Sequence, residues 1–191
     1  MLDESQRQTG LSSDRNRSWL WIALLTVAAI TSSLVFACAT PFVALATLAA
    51  RNMKRQDTFL LMIAVWLANQ VAGYGILNYP RTADSFGWGG AIGVAALLAA
   101  FAAMSVGDRP MRTGPVLGTL TAFVAAFVAY EGVLFAATSI LPSGEDAFSL
   151  RIVLYILQVN VLALIALYVL SLAAPTVGLP RSRWRGVLRP E

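Results

Sequence analysis

The sequence predicts an all-α, polytopic membrane protein with six transmembrane helices and with both the N and C termini cytoplasmic. Three observations predict it. Hydrophobic residues make up 58% of the 191 residues and charged residues 13%, with a mean hydropathy of +0.68, which is more apolar than a water-soluble domain of this length. The apolar residues fall into long runs separated by short polar stretches. Lys and Arg concentrate in alternate stretches, which indicates the cytoplasmic side.

The apolar runs define the predicted elements in chain order. Residues 1–18 are polar and of mixed charge, and we expect a disordered cytoplasmic tail. Trp19 and Trp21 open a run to about residue 37, roughly the length that crosses a ~30 Å hydrocarbon layer. A shorter run at 39–50 ends in a basic stretch, and the later spans are predicted at 58–77, 86–106, 114–141 and 149–174. The six-helix domain is therefore 19–174, followed by a basic cytoplasmic tail at 175–191.

The number of crossings in residues 19–50 depends on where the positive charges fall. If this region crosses twice, twelve of the 14 Lys and Arg residues lie on one side of the membrane and two on the other. If it crosses once, the division is nine to five. The positive-inside rule favours the first arrangement, which has six helices. That arrangement also predicts that Cys38 lies at the outer face.

Several classes of function are excluded by residue types that the chain lacks. There is no His, which excludes histidine metal sites and the Ser-His and Cys-His catalytic pairs. There is no GxxxxGK[ST] loop, so no ATPase is built in. The net charge of +4 is divided among several loops, so we expect no nucleic acid partner. We predict that the protein is not an enzyme and has no catalytic residues.

Polar residues within the predicted spans are the best indicators of function, because a polar side chain in lipid is costly unless it meets a partner or a cavity. Three spans carry such residues in the same outer half of the membrane. Trp88 and Tyr79 lie in the loops above them. The predicted binding residues are Asn69, Gln70, Tyr74, Asn78, Tyr79, Trp88, Tyr130, Glu131 and Gln158, and Tyr155 and Asn160 lie at a similar depth.

Each of these residues also has a purely structural interpretation. Asn69, Asn160 and the isolated tyrosines can hydrogen-bond one helix to another. Tyr79 and Trp88 can anchor helix ends at the membrane interface. Glu131 is different because a carboxylate away from a helix end is rare in a membrane, and it either stays protonated or faces a wet pocket. No second acid or nucleophile lies near Glu131 in the sequence, which disfavours an intramembrane enzyme.

Cys38 is the only cysteine, so the chain forms no internal disulfide. It is either a small hydrophobic residue at a helix end or a soft sulfur ligand at the mouth of a pocket. Residues 35–38 also resemble a lipoprotein cleavage box, but Phe36 fits that box poorly. Because no His or second Cys can complete a metal site, a metal bound by Cys38 must arrive within a cofactor.

Two stretches of sequence resemble a known family. Residues 36–42, FACATPF, and residues 66–70, WLANQ, followed by Gly73-Tyr74-Gly75 and Tyr79-Pro80, are similar to the solitary vitamin B12 (cobalamin) S-components of the BtuM type. These are related to the substrate-binding components of energy-coupling-factor (ECF) transporters. The resemblance covers nearly the whole chain after residue 18.

The resemblance implies uptake of cobalamin or a related corrinoid across a bacterial inner (cytoplasmic) membrane. It assigns Cys38 as the axial ligand of the cobalt in the bound cobalamin, with decyanation of cyanocobalamin as an incidental reaction of binding. An energising ECF module is an implied partner, and it stays open because the first span has only Ala28/Ser32 and Ala29/Ser33 in place of the AxxxA spacing. The alternative function is a non-transporting accessory subunit of a larger membrane protein complex.

Overall fold

The computed structural model describes residues 40–107, 115–144 and 148–173. Within these ranges the protein is all-helical and contains no strand. Five α-helices follow one another, and a π-helical turn at Ala72–Ile76 extends the second of them. Their bounds are α1 Phe42–Asn52, α2 Arg55–Val71, α3 Ala83–Gly107, α4 Pro115–Thr138 and α5 Leu150–Ala173.

Within the described ranges, four helices are long and apolar enough to cross a membrane, which is the pattern of a multi-pass membrane protein. Their apolar segments are Arg55–Ile76, Ala83–Val106, Val116–Thr138 and Leu150–Val169. These match the four later spans predicted from the sequence within a few residues. The predicted first span at 19–37 and both termini lie outside the described residues. Six crossings and cytoplasmic termini therefore remain predictions.

The longest interface in the bundle joins α3 to α4. Both helices bury alanines, which recur at steps of three or four residues and let neighbouring backbones approach closely. The buried alanines are Ala95, Ala96, Ala99, Ala100 and Ala103 on α3 and Ala122 and Ala126 on α4. Dispersion contacts between closely packed backbones stabilise such helices.

Helix α1 lies in the interior of the bundle, where it contacts all four of the other helices. Every residue from Phe42 to Ala49 is buried. With 11 residues and a rise of ~1.5 Å per residue, the helix is only about 16 Å long. The run predicted as a short second span is therefore a helix, but one that covers about half of a ~30 Å hydrocarbon layer.

The two ends of the bundle differ in charge. We call the end formed by Arg51, Lys54 and Arg55 the basic end, and α4 begins there because Gly118 lies directly against the Arg51 guanidinium. The opposite end, which we call the far end, contains the start of α3, the 139–144 turn and the start of α5. Arg81 and Arg151 lie at the far end. Among the described residues, the basic end thus carries more Lys and Arg side chains than the far end.

Candidate binding site

The first turn of α1 lies inside the bundle, where its backbone N–H groups need acceptors from other parts of the chain. Asn160 of α5 supplies one, because its Oδ1 accepts a hydrogen bond from the Ala44 N–H at 3.1 Å. The Nδ2 of Asn160 donates to the Ile156 carbonyl at 2.9 Å, and the residue is only 1% exposed. A side chain from another helix thus caps α1, which has no cap from its own neighbouring side chains.

A second polar contact fixes the chain just before α1. The Thr40 hydroxyl donates a 2.7 Å hydrogen bond to Oδ1 of Asn69 in α2, and Thr40 is 8% exposed. Asn69 and Asn160, on separate helices, thus hold the same short segment. Both hydrogen bonds join segments that are distant in the chain, as expected if the two asparagines have a structural role. A role for Asn69 in binding stays a prediction.

Tyr130 and Glu131 approach the same region from α4. The Tyr130 ring is buried and stacks on Phe42, the first residue of α1, with 6.1 Å between ring centroids and 27° between ring planes. Glu131 is 7% exposed. Both of its carboxylate oxygens are buried, and neither has a hydrogen-bond partner in the part of the chain that the structure describes. This is a costly arrangement for a carboxylate.

The polar groups around the start of α1 lie at similar depths. At ~1.5 Å per residue, Asn69 lies about 10 Å from the end of the π-helical turn, and Tyr130 about 12 Å from the end of α4. Asn160 lies about 15 Å from the start of α5. All three positions are measured from the far end. The structure thus places Asn69, Tyr130 and Asn160 at similar distances from the far end, around the start of α1.

Gln70 and Tyr74 lie between α2 and the first turns of α3. The Gln70 amide lies directly against Gly89, where an added Cβ would be 2.6 Å from Oε1. The Tyr74 and Ser85 hydroxyls are 3.1 Å apart and share a hydrogen bond. The Tyr74 ring lies 4.8 Å from that of Phe86, centroid to centroid. Both residues are half-buried, which leaves part of each side chain accessible.

Tyr79 folds back over the π-helical turn. Its backbone N–H donates to the Gly73 carbonyl at 3.0 Å, and a Cβ at Gly73 would lie 2.7 Å from the Tyr79 ring. Its ring also meets Tyr74 edge to face at 6.1 Å. Asn78 makes the turn possible with a φ of 54°, a left-handed conformation that Asn tolerates better than most residues. We call Gln70, Tyr74 and Tyr79 the rim cluster.

Trp88 is part of a separate polar chain at the far end. Its Nε1 donates to the Ser143 hydroxyl at 2.8 Å, and that hydroxyl donates to Oδ2 of Asp84 at 2.6 Å. This chain ties the 139–144 turn to the start of α3. Trp88 therefore belongs to a polar chain separate from the rim cluster, and its interfacial and binding roles both stay predictions.

Two of the remaining predicted site residues lie apart from both groups. Gln158 is exposed on α5, although it is only two residues from Asn160. Asn78 is exposed and its amide donates a long, 3.4 Å bond to the Ile76 carbonyl. Cys38 lies outside the described residues, so its predicted position stays a prediction.

Sequence reasoning did not identify Thr40 or Phe42 as parts of this site, nor the trans-helix cap by Asn160. One signal was present, because Thr-Pro directly before an apolar run is typical of a helix start. No signal in a single sequence shows that an asparagine on one helix will cap another helix 116 residues away.

In the described ranges, no three His, Cys, Asp or Glu side chains lie close enough together to hold a metal ion. No protein-family model, curated protein or solved structure matches the chain.

Proposed function

We propose that the protein is a membrane uptake protein that binds cobalamin or a related corrinoid from the far end, with Cys38 as the axial ligand of the cobalt. The buried start of α1, held by Asn69 and Asn160, is the observation that supports this most. Cys38 is two residues before Thr40 in the chain, and two residues span at most about 7 Å. The thiol is thus tethered close to a segment lined with polar groups.

The chemistry of the surrounding residues suits such a cargo. A corrinoid is broad and flat and carries amides around its rim, so it needs amide and hydroxyl partners together with aromatic walls. The rim cluster supplies one amide and two phenol rings. Tyr130 and Glu131 supply a ring and a carboxylate deeper in the bundle. The far end gives the cargo an entry about 10 Å above the start of α1.

The proposed cobalt bond has a chemical consequence for cyanocobalamin. When the Cys38 thiol loses its proton and the thiolate takes an axial position on cobalt, the cyanide leaves as an anion that water protonates. The cobalt keeps its oxidation state in this exchange. We regard decyanation as incidental to binding and not as a dedicated enzymatic activity.

The proposal includes a topology and a place in the cell. Six helices with both termini cytoplasmic place the basic end inside and the far end outside a bacterial inner membrane. The charges support this orientation, because the basic end carries Arg51, Lys54 and Arg55, and the far end carries Arg81 and Arg151. An ECF module supplied by other chains would bind at the cytoplasmic side.

The cobalt ligand can be tested by the visible spectrum of the purified protein. The full chain is produced in cells given cyanocobalamin, beside Cys38→Ala, Cys38→Ser and the control Ser105→Ala, which removes an exposed hydroxyl bonded within its own helix. We expect coloured wild-type and control proteins, and loss of most of the corrinoid from both Cys38 variants. A colourless wild type, or equal retention by all four proteins, would contradict the proposal.

Transport needs a separate experiment. A strain that requires vitamin B12 and lacks its own importer should grow on low cobalamin when it carries the wild-type gene. Cys38→Ala should grow more slowly, and Ser105→Ala should grow like the wild type. Corrinoid binding without growth would show a binding protein that does not transport.

One observation favours the alternative of a non-transporting accessory subunit. Among residues 150–169 of α5, only Val159 and Asn160 are buried, and the others are half-buried or exposed, including the polar, exposed Gln158. A polar side chain on such a surface suits a partner helix. This function predicts a partner that survives purification in mild detergent and is lost in Gln158→Leu, while Cys38→Ala keeps it. A monodisperse protein that binds corrinoid without a partner would contradict it.

A further inference from the structure

The proposed cobalt site leaves the chemistry of Glu131 unexplained. Its carboxylate lies seven residues before the end of α4, about 10 Å below the far end at ~1.5 Å per residue. The residue is more than nine-tenths buried, and both oxygens lack a hydrogen-bond partner within the described ranges. A structural polar residue in a membrane bundle is normally bonded to another helix, as Asn69 and Asn160 are.

Within the described ranges, α1 and α3 are the helices with extensive contact to α4, and neither brings a compensating charge to this depth. Helix α1 carries no charged or titratable side chain between Phe42 and Ala50, and α3 carries none after Asp84, which lies at the far end. The charged and titratable groups described on α5 are the exposed Arg151 and Tyr155 and the half-buried Tyr168. Tyr130 is the titratable neighbour on α4 itself. An ionised carboxylate here would be a desolvated, unpaired charge, so the neutral acid is favoured.

We propose that Glu131 is a proton-binding site in the interior of the bundle. It holds a proton when the start of α1 is packed against α4, and it exchanges that proton with water at the far end when this packing opens. The proton moves from water to a carboxylate oxygen and back, and no covalent bond of the chain other than this O–H changes. The site therefore takes a proton, and a monovalent metal cation is the competing ligand that the test must exclude.

The contact between Tyr130 and Phe42 connects this site to the start of α1. Tyr130 adjoins Glu131 in the chain, and its ring stacks on the first residue of α1. This step rests on the proposed function: cargo bound at Cys38 would displace the start of α1, and Phe42 with it, and so expose Glu131 to water. Corrinoid binding and proton release from Glu131 are then linked, and by reciprocity each alters the equilibrium of the other.

A hydrophobic carbodiimide tests the site without any cargo. Dicyclohexylcarbodiimide enters membranes and adds to protonated carboxyl groups, and the O-acylisourea rearranges to a stable N-acylurea with no atom lost. Full-length wild-type protein in detergent is treated over a range of pH, and the modified residue is identified by peptide mass mapping. Glu131→Gln is the variant. Asp84→Asn is the matched control, because it removes a carboxylate that is bonded to Ser143 at the far end.

We expect modification at Glu131 in the wild type and in Asp84→Asn and none at residue 131 in Glu131→Gln. The rate should fall about tenfold per pH unit above the midpoint of titration. Absence of modification at Glu131 throughout the pH range would overturn the proposal. Protection by Na⁺ at constant pH would also overturn it, because the site would then bind a metal cation. Neither result depends on how the variant folds, since both are read on the wild-type chain.

A second arm with cyanocobalamin tests the linkage. If the wild type binds corrinoid, we expect the modification rate at constant pH to change at least about tenfold, which corresponds to a coupling of about 1.4 kcal/mol. An unchanged rate in the corrinoid-loaded protein overturns the linkage. If the chain binds no corrinoid, the proposed function and the linkage both fail, and the first arm still decides whether Glu131 binds a proton.

Discussion

Helices α1 and α5 pack against each other through Asn160 but differ in almost every other respect. Helix α1 has 11 residues and is buried from Phe42 to Ala49. Helix α5 has 24 residues, and among its residues 150–169 only Val159 and Asn160 are buried. Both sequences are largely apolar, and the two helices differ most in their lengths and their polar contacts.

The difference shows two ways of stabilising a helix in a membrane protein. Because α5 is long enough to cross the bilayer, lipid chains can contact most of its exposed apolar surface. Helix α1 alone covers only about half of the hydrocarbon layer, and without a partner its start would expose unpaired N–H groups at membrane depth. Asn160 of α5 supplies the missing acceptor for the Ala44 N–H in the first turn of α1. The stability of α1 should therefore depend on side chains from other helices.

The largest effect is expected for Asn160→Leu, which keeps the size of the side chain and leaves the Ala44 N–H without its acceptor. A buried unsatisfied donor costs about 1–3 kcal/mol, so we expect a loss of this order in the free energy of unfolding, measured in mixed micelles. Gln158→Leu on the same helix is the matched control and should cost nothing, since its side chain is exposed. Equal effects of the two substitutions would contradict the difference between the buried and exposed faces of α5.

A second substitution compares two glycines of α3. A Cβ at Gly93 would lie 2.8 Å from Cε2 and Nε1 of Trp66, whose Nε1 donates to the Gly89 carbonyl at 2.8 Å. Gly93→Ala must shift this rigid ring, and we expect a loss of about 1–2 kcal/mol of unfolding free energy. Gly90 has no atom within 4 Å of an added Cβ, so Gly90→Ala should not destabilise the protein. A destabilised Gly90→Ala would argue against the packing of α2 on α3.

A smaller effect is expected for Thr40→Val, which removes the hydroxyl that bonds to Asn69. The loss of one hydrogen bond between helices costs about 0.5–1.5 kcal/mol. Thr121→Val is the control, because the Thr121 hydroxyl bonds only to the carbonyls of Leu117 and Gly118 in its own helix. The comparison of unfolding free energies should show the larger loss for Thr40→Val. The reverse order would mean that Thr40 does not fix the start of α1.

The smallest effect is expected at the far end. Ser143→Ala breaks the bonds to Trp88 and Asp84, but Ser143 itself is exposed, so water can replace the serine hydroxyl. We expect a change of about 0.5 kcal/mol or less in unfolding free energy. Hydrogen exchange of the 139–144 backbone should nevertheless accelerate relative to the wild type. An effect as large as that of Asn160→Leu would show that the far end is as tightly packed as the interior.

The sequence predicted the class of the fold and the later spans, because both depend on the number of consecutive apolar residues. It also predicted that Asn69, Tyr130 and Asn160 share one half of the membrane, since the depth of a residue follows from its position in a span. Such reasoning cannot show which face of a helix is buried. Helices α3 and α5 are both apolar on all sides, and the alanines of α3 are packed while most of α5 is exposed.

The candidate site was less predictable for the same reason. The sequence placed Gln158 and Asn160 at one depth, and only the rotation of α5 separates the exposed glutamine from the buried asparagine. It identified Glu131 as unusual but could not show that both oxygens lack a partner. It gave no indication of the π-helical turn, because the i→i+5 bonds of such a turn depend on packing around Tyr79 and not on a residue pattern.

That turn makes one end of α2 adjustable by insertion or deletion. A π-helical turn holds one residue more than the α-helical turn it replaces, and in an α-helix each residue adds about 100° of rotation. Loss of one residue within Ala72–Ile76 would restore α-helical winding with little rotation of the chain that follows, whereas the same loss within Arg55–Val71 would rotate the rest of the helix by about 100°. The turn is therefore the place in α2 where we expect a single-residue deletion to be best tolerated, with Arg55–Val71 keeping its packing.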